Sequence, residues 1–365
     1  MDEEFQINPF TPTFGSIPML LAGRKQMVNA VLNGLRNGPG DPNRATIFIG
    51  ARGSGKTVLL TKIAEEAAKI GWISANVTAS ETMLDEIIDE ISLNGAEFLE
   101  AEPTIHLTGI NIAGFGADVE AAPKRERTWR TQTALLIKAL NEKNIGLLLT
   151  VDEVDAELPG IKTVVTAFQH FVRERRDVAL LMAGLPHNVS ELLSDKRISF
   201  LRRAFQHGLD PIEQADVRES INDTITLSGK KIEAKALGKA AMNTGGFPFL
   251  IQLIGYHSWE QAGLAKTITS AHVSKGIDAA FDDMGKMIFR TTIKGLSDTD
   301  IRFLKAMSVD DSESAMADIK DRMNVSEGYA SQYRLRLIEQ GLIAPVSRGK
   351  VEFAIPMTRE YIKTL

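Results

Sequence analysis

Short continuous runs of apolar residues alternate, over the first 210 positions, with stretches in which apolar residues recur every three or four places. Ala45–Ile49, Trp72–Val77, Gly146–Val151 and Val178–Ala183 read as strands, and the last two have the unbroken apolar character of parallel strands buried on both faces. Thr57–Ile70 carries Leu59, Leu60, Ile63, Ala64 and Ala67 on one side and stops at Gly71, which predicts a helix. Met83, Leu84, Ile87, Ile88 and Ile91 mark another helix, with Ser80 as its candidate cap. Thr131–Asn141 is a third, and Ile161–Arg175, with Val164, Val165, Phe168, Phe171 and Val172, a fourth. A short strand near Gln206–Leu209 closes the series. Such alternation predicts an α/β fold: a parallel sheet sandwiched by helices through right-handed crossovers.

The flanks read differently. Residues 1–43 combine an irregular stretch, broken by Pro9, Pro12, Gly15 and Pro18, with a helix over Gly23–Leu35. After Asp210-Pro211 the pattern over 213–285 is helical only, with breaks near Ser228-Gly229 and Thr244–Pro248. Met284, Met287 and Ile288 read as one core face of a long helix. Past Gly295–Asp298 come three helices and two short strands around Arg348-Gly349, with Ile301, Leu304, Ile319, Met323, Leu335, Ile338 and Leu342 as core. The expected units are an N-terminal segment with its helix (1–43), the α/β core (44–210), an all-α unit (211–294) and a C-terminal module (295–365). Thr104–Val119 reads as a hairpin or irregular insertion.

Composition narrows the classes. Apolar residues make up 44% and charged residues 24% of the 365, which excludes collagen-like and wholly disordered chains. The absence of cysteine rules out a disulfide scaffold, a thiolate metal site and a cysteine nucleophile, and fits a reducing compartment. A net charge of −5 means that any nucleic-acid contact must come from a local patch. The apolar runs are far shorter than the ~20 residues a membrane helix needs. The opening Met1-Asp2-Glu3-Glu4 carries the wrong charge for a secretory signal, so a cytoplasmic protein with no membrane partner is expected. His106, His170, His187, His207, His257 and His272 are scattered without zinc-site spacing.

The chemistry concentrates in two places. Gly50-Ala51-Arg52-Gly53-Ser54-Gly55-Lys56-Thr57 fits the G-x-x-x-x-G-K-[ST] phosphate loop, and it follows a predicted strand and opens a predicted helix. Its glycines let successive N–H groups turn inward on an anion, and the helix N-terminus adds partial positive charge. Lys56 would reach the β- and γ-phosphates, the Thr57 hydroxyl would coordinate Mg²⁺, and Val58 follows in the first helical turn. The second place is Leu147-Leu148-Leu149-Thr150-Val151-Asp152-Glu153, a buried strand ending in two carboxylates. Asp152 would hold the metal, and Glu153 would orient and deprotonate an attacking water.

Together these segments resemble an additional-strand P-loop ATPase of the AAA+ and STAND type, similar to origin-recognition (replication-initiator) ATPases. The resemblance implies ATP or ADP with Mg²⁺ as ligands, a helical lid over 211–294 and a winged helix-turn-helix over 295–365. Gly23-Arg24 resembles the element that lies beside the adenine, which makes the helix after it adenine-side. Pro248, in Gly245-Gly246-Phe247-Pro248-Phe249, resembles a lid proline that approaches the base. Arg203, with Arg202 and Arg197 behind it, stands where such ATPases carry an arginine finger, supplied in trans on self-assembly. Two departures imply a slow, partner-stimulated switch. Met182-Ala183-Gly184-Leu185-Pro186 lacks the usual polar sensor, leaving His187 or Asn188 to replace it, and the lid lacks a sensor arginine.

The C-terminal module leaves two functions open. Tyr329, Ser331, Gln332, Arg334 and Arg336 on its third helix, with Arg348 and Lys350 at the wing, suit a reader of duplex DNA. Residues 291–365 nevertheless carry eleven Lys and Arg against eleven Asp and Glu, a poor balance for phosphate neutralisation. The alternative is a STAND-like signalling or defence switch whose winged helix contacts protein or its own ATPase core. The DNA-directed reading implies replication, transposition or mobile-element maintenance.

Overall fold

The computed structural model describes residues 7–13, 15–99 and 128–365; the expected hairpin over 104–119 lies outside them. Five strands, β1 (Ala45–Ile49), β2 (Trp72–Thr78), β3 (Gly146–Asp152), β4 (Val178–Gly184) and β5 (Phe205–Gly208), form one sheet in the order β2-β3-β4-β1-β5. All neighbours are parallel. β4 lies between β1 and β3, so the strand before the phosphate loop and the strand before the carboxylates are separated by one other.

Residue alternation explains the near-continuous apolar runs. Leu147, Leu149, Val151, Leu180 and Met182 face one side, where the helices Met83–Asn94, Trp129–Glu142 and Pro159–Arg173 cover them. Leu148, Ala179, Leu181 and Phe48 face the other, against Lys25–Asn37 and Lys56–Ala68. Every residue of β4 is buried, so its strand has no polar face to show. The fold class, a P-loop-type parallel sheet between helical layers, is the one expected.

Several local readings change. Ser80 is not the cap of Met83–Asn94; Thr82 holds that position, without a side-chain cap bond, and Ser80 instead reaches Glu86. Val172 is 42% exposed, because it lies off the stripe set by Val164, Phe168 and Phe171. Residues 213–285 are not helical only. Beside the helices Gln214–Leu227, Ala234–Asn243, Pro248–Ala262 and Ser270–Met284, the dipeptides Lys231–Ile232 and Thr267–Ile268 pair in parallel. Two residues per strand are too few to leave an alternation in the sequence.

The face Met284-Met287-Ile288 forms in part: Met284 is buried and Ile288 packs against the same apolar core. Residues Gly285–Phe289 make a π turn, which adds Phe289, five residues from Met284, to the buried side and leaves Met287 47% exposed. The C-terminal segment comprises helices Asp298–Ser308, Met316–Met323 and Glu327–Glu339 around Phe303, Leu304, Ile319, Met323, Leu337 and Leu342. Leu335 points out, 55% exposed, since it lies on the opposite side of its helix from Leu337. Strands Ile343–Ser347 and Lys350–Phe353 pair antiparallel, and Ser314–Ala315 adds to the latter. A last helix, Thr358–Lys363, went unread in the sequence because one turn and a half holds too few apolar repeats.

The C-terminal segment leans on the helices that follow β5 and on the α/β core. Ile355 joins the apolar core built by Ile212, Leu250, Ile254 and Met284. The Tyr361 ring lies 4.9 Å from that of Phe289. A Cβ placed on Gly341 would lie 3.7 Å from Leu185 Cδ1, immediately after β4. Among the described residues no helix is long and apolar enough to cross a membrane.

Candidate functional site

The site grows out of the carboxyl ends of β1, β3 and β4. Gly50–Gly55 leave β1 as a loop in which Gly53 (φ 78°) and Gly55 (φ 87°) adopt the left-handed backbone that side chains resist. The helix Lys56–Ala68 starts immediately after, so its free N–H groups face the inside of the loop. Lys56 Nζ donates to the carbonyls of Gly50 and Ala51, both at 2.9 Å. Burial holds this ammonium below its ordinary value, Asp152 and Glu153 oppose the shift, and Arg52 adds to it. Ser54 Oγ is buried there without a partner, and Val58 is half-buried in the first helical turn.

The carboxylates meet this loop. The Thr57 hydroxyl donates to Asp152 Oδ2, across 95 residues of sequence. Glu153 donates its N–H to Asp152 Oδ1 (2.9 Å) and takes φ 50°, which costs about 1 kcal/mol for a residue with a side chain. The turn exposes the Glu153 side chain beside the loop. β4 ties the two halves together. Gly184 O accepts from Gly50 N (3.2 Å), and Ala183 O accepts from Val154 N (2.9 Å).

The donors fit a magnesium polyphosphate. Inward N–H groups and a lysine suit the phosphates, while one hydroxyl and one carboxylate are the hard oxygen ligands that Mg²⁺ takes when phosphates and water complete its shell. Among the described residues no group of three or more His, Asp or Glu gathers as an all-protein metal cage.

The remaining predicted residues fall in three places. Gly23 and Arg24 lie against the chain just after β5, where a Gly23 Cβ would meet Ile212 and Asp216: Arg24 is buried, donates Nη2 to Asp210 O (2.6 Å) and leaves Nε unpartnered. Burial lowers its pKa, against the pull of Asp210. Pro248 begins the helix Pro248–Ala262 directly over the phosphate loop, with its Cγ 3.3 Å from where a Gly55 Cβ would stand. Phe247 and Phe249 approach Gly53 from the same side, and with Arg52, Met284 and Ile355 they line a small apolar cleft. Sequence reading missed Ile355, which is remote in the chain and carries no motif.

Arg203 is not part of this cluster. It is exposed and precedes β5, where Phe205 pairs with Thr46 at the amino end of β1. The phosphate loop begins four residues further along β1, roughly 13 Å away at strand rise. Arg202 donates Nε to Leu193 O (2.7 Å), and Arg197 is paired with Asp195 (2.7 Å), so both are engaged locally. Of the two candidate sensor replacements, His187 sits on the surface beside Glu191 (3.8 Å), whereas Asn188 donates Nδ2 to Val154 O (3.1 Å).

The architecture recurs in solved structures. The Walker-type ATPase PABY2304 of Pyrococcus abyssi matches with a TM-score of 0.67 at 14% identity, over 94% of this chain and 96% of that one. The ORC2 protein of Aeropyrum pernix, solved in ADPNP–ADP complexes, matches with a TM-score of 0.62 at 14% identity, over 97% and 96%. The chain has their fold. Cdc6p of Pyrobaculum aerophilum is similar at a TM-score of 0.50 and 19% identity, over 97% and 96%. The fold they share with this chain is that of the ATPases the sequence resembles. A family profile described as a domain of unknown function (DUF8462) matches residues 286–362. No curated protein matches the chain.

Proposed function

We propose that the chain binds ATP with Mg²⁺ and hydrolyses it slowly, using the nucleotide as a conformational switch. The observation that carries this reading is the hydrogen bond from Thr57 to Asp152, which brings the phosphate loop and the acidic strand end into one site. Gly50 to Thr57 would cradle the polyphosphate, with Val58 behind, and Lys56 would neutralise its β- and γ-oxygens. Thr57 and Asp152 would hold Mg²⁺, whose charge offsets that of the phosphates. Glu153 would orient a water and accept its proton as the water oxygen attacks the γ-phosphorus and ADP leaves. Gly23-Arg24 and Pro248 would flank the nucleoside. The lid over 211–294 would close on ATP and loosen once the γ-phosphate is gone. Arg203, too far from its own phosphate loop, would act on a neighbouring subunit, making turnover depend on self-assembly.

Two outputs remain distinct. Read as a winged helix, the C-terminal module would contact duplex DNA. The second reading, an internal clamp, is favoured by Ile355 in the lid core and beside Gly53, and by Tyr361 on Phe289. Hydrolysis of Mg·ATP is measured with and without duplex DNA, on wild type and on Glu153→Gln. The proposal expects turnover that Glu153→Gln abolishes while ATP binding persists. Stimulation by DNA selects the DNA-directed output. Stimulation by Ile355→Ser, without DNA, selects the clamp. Wild-type turnover by Glu153→Gln overturns the assignment of the base.

A further inference from the structure

We propose that Asn188 is a positioning residue for Glu153, acting through the backbone of Val154; the inference rests on the ATPase reading above. Glu153 must hold a left-handed backbone at the tip of β3, a conformation that relaxes unless its neighbours are fixed. Asp152 before it is fixed by Thr57 and by its own carboxylate on Glu153 N. Val154 after it is fixed three ways. Its N–H is held by Ala183 O at 2.9 Å, and its carbonyl by Asn188 Nδ2 at 3.1 Å. Its side chain, 0% exposed, fills the space over Gly184, where a Cβ would come within 2.5 Å of Val154 Cγ2.

Of these three holds, only the one from Asn188 depends on a side-chain hydrogen bond. Asn188 stands in the first turn of the helix Pro186–Ser194 and begins from the strand whose Gly184 carbonyl also takes Gly50 N. One short segment, 183–188, therefore sets the phosphate loop and the base turn relative to each other. A polar sensor at a strand end would itself touch phosphate or water. Here the amide is spent on a peptide carbonyl, so its effect on chemistry is geometric. Misplacing a reacting group by about 1 Å can cost on the order of 10²-fold in rate.

The test uses the full chain. Asn188→Ala, Asn188→Asp and Glu153→Gln are compared for Mg·ATP turnover, for the Kd of a fluorescent ATP analogue and for thermal melting. Asn188→Asp keeps the shape but turns a donor into an acceptor against the Val154 carbonyl, so it serves if the alanine variant folds poorly. The expected result is a fall in kcat of about tenfold or more in both Asn188 variants, with Kd changed less than about threefold. Combining Asn188→Asp with Glu153→Gln should add no further loss, since both act on one group. If Glu153→Gln is inactive and both Asn188 variants turn over like wild type, the positioning role is wrong. A lowered melting temperature with unchanged kcat also overturns it, as that is a merely structural role. If Glu153→Gln keeps wild-type turnover, the base assignment itself fails, independently of Asn188.

Discussion

Gly184→Ala should damage both stability and turnover, and a second substitution should repair part of that damage. Gly184 lies within β4 with an ordinary strand backbone, so alanine is penalised only by space. Its new methyl would stand 2.5 Å from Val154 Cγ2 and 3.1 Å from Val189 Cγ2. Both valines are buried and β-branched, with no flexible end to swing away. Overpacking of this kind costs roughly 1–3 kcal/mol. Relief requires Val154 to move, and Glu153 moves with it. Val154→Ala alone removes two buried methyl groups and costs about 2 kcal/mol with its cavity. In the double variant the methyl introduced at position 184 fills that cavity, so the loss should stay at about 2 kcal/mol and not reach the additive value of about 4. Thermal melting reads the energies, at roughly 2–4 °C per kcal/mol, and phosphate release reads the site. Turnover should fall about tenfold or more in Gly184→Ala and recover in part when Val154→Ala is added. Wild-type melting and turnover in Gly184→Ala, or strict additivity in the pair, would refute the packing argument.

Three further outcomes test other parts. Phosphate binding should raise the depressed Lys56 pKa, so in alkaline buffer below its ordinary 10.5 ATP binding takes up protons. Calorimetry should show this as a buffer-dependent enthalpy that disappears in Lys56→Met, together with most of the affinity. Arg203→Ala should leave the Kd for ATP unchanged and remove any rise of turnover with protein concentration, a finger being worth about 10³-fold or more. Arg322 beside Asp310 lowers that carboxyl from 3.8 to about 2. Its stabilising contribution is therefore present above 3.8 and fades as pH falls towards about 2. Asp310→Asn should lower the melting temperature at neutral pH by the equivalent of at most about 1 kcal/mol, an effect that shrinks below 3.8 and is gone only at pH below about 2.

The main strands, the phosphate loop and the carboxylate pair were legible in the sequence because each is a local pattern. A strand buried on both faces must be apolar throughout, and a loop that closes on phosphate needs glycine at fixed offsets. Those rules act within a short stretch of chain, so the sequence displays them directly. The π turn at Gly285–Phe289 was not legible, since one extra residue in a helical turn leaves no separate pattern of its own in the sequence. Neither were the paired dipeptides, too short to alternate, nor Leu335, whose side is chosen by how its helix docks. Asp152 and Thr57 could be named from their motifs, but that they touch is a consequence of β4 inserting between β1 and β3. The same insertion brings Asn188 to Val154, while the parallel pairing of β5 with β1 leaves Arg203 at the far end of the sheet. Sequence by itself determines which groups can do the chemistry, through local backbone and burial requirements. Which of them meet depends on strand order and helix docking, set by packing between residues far apart in the chain, and that only the tertiary structure decides.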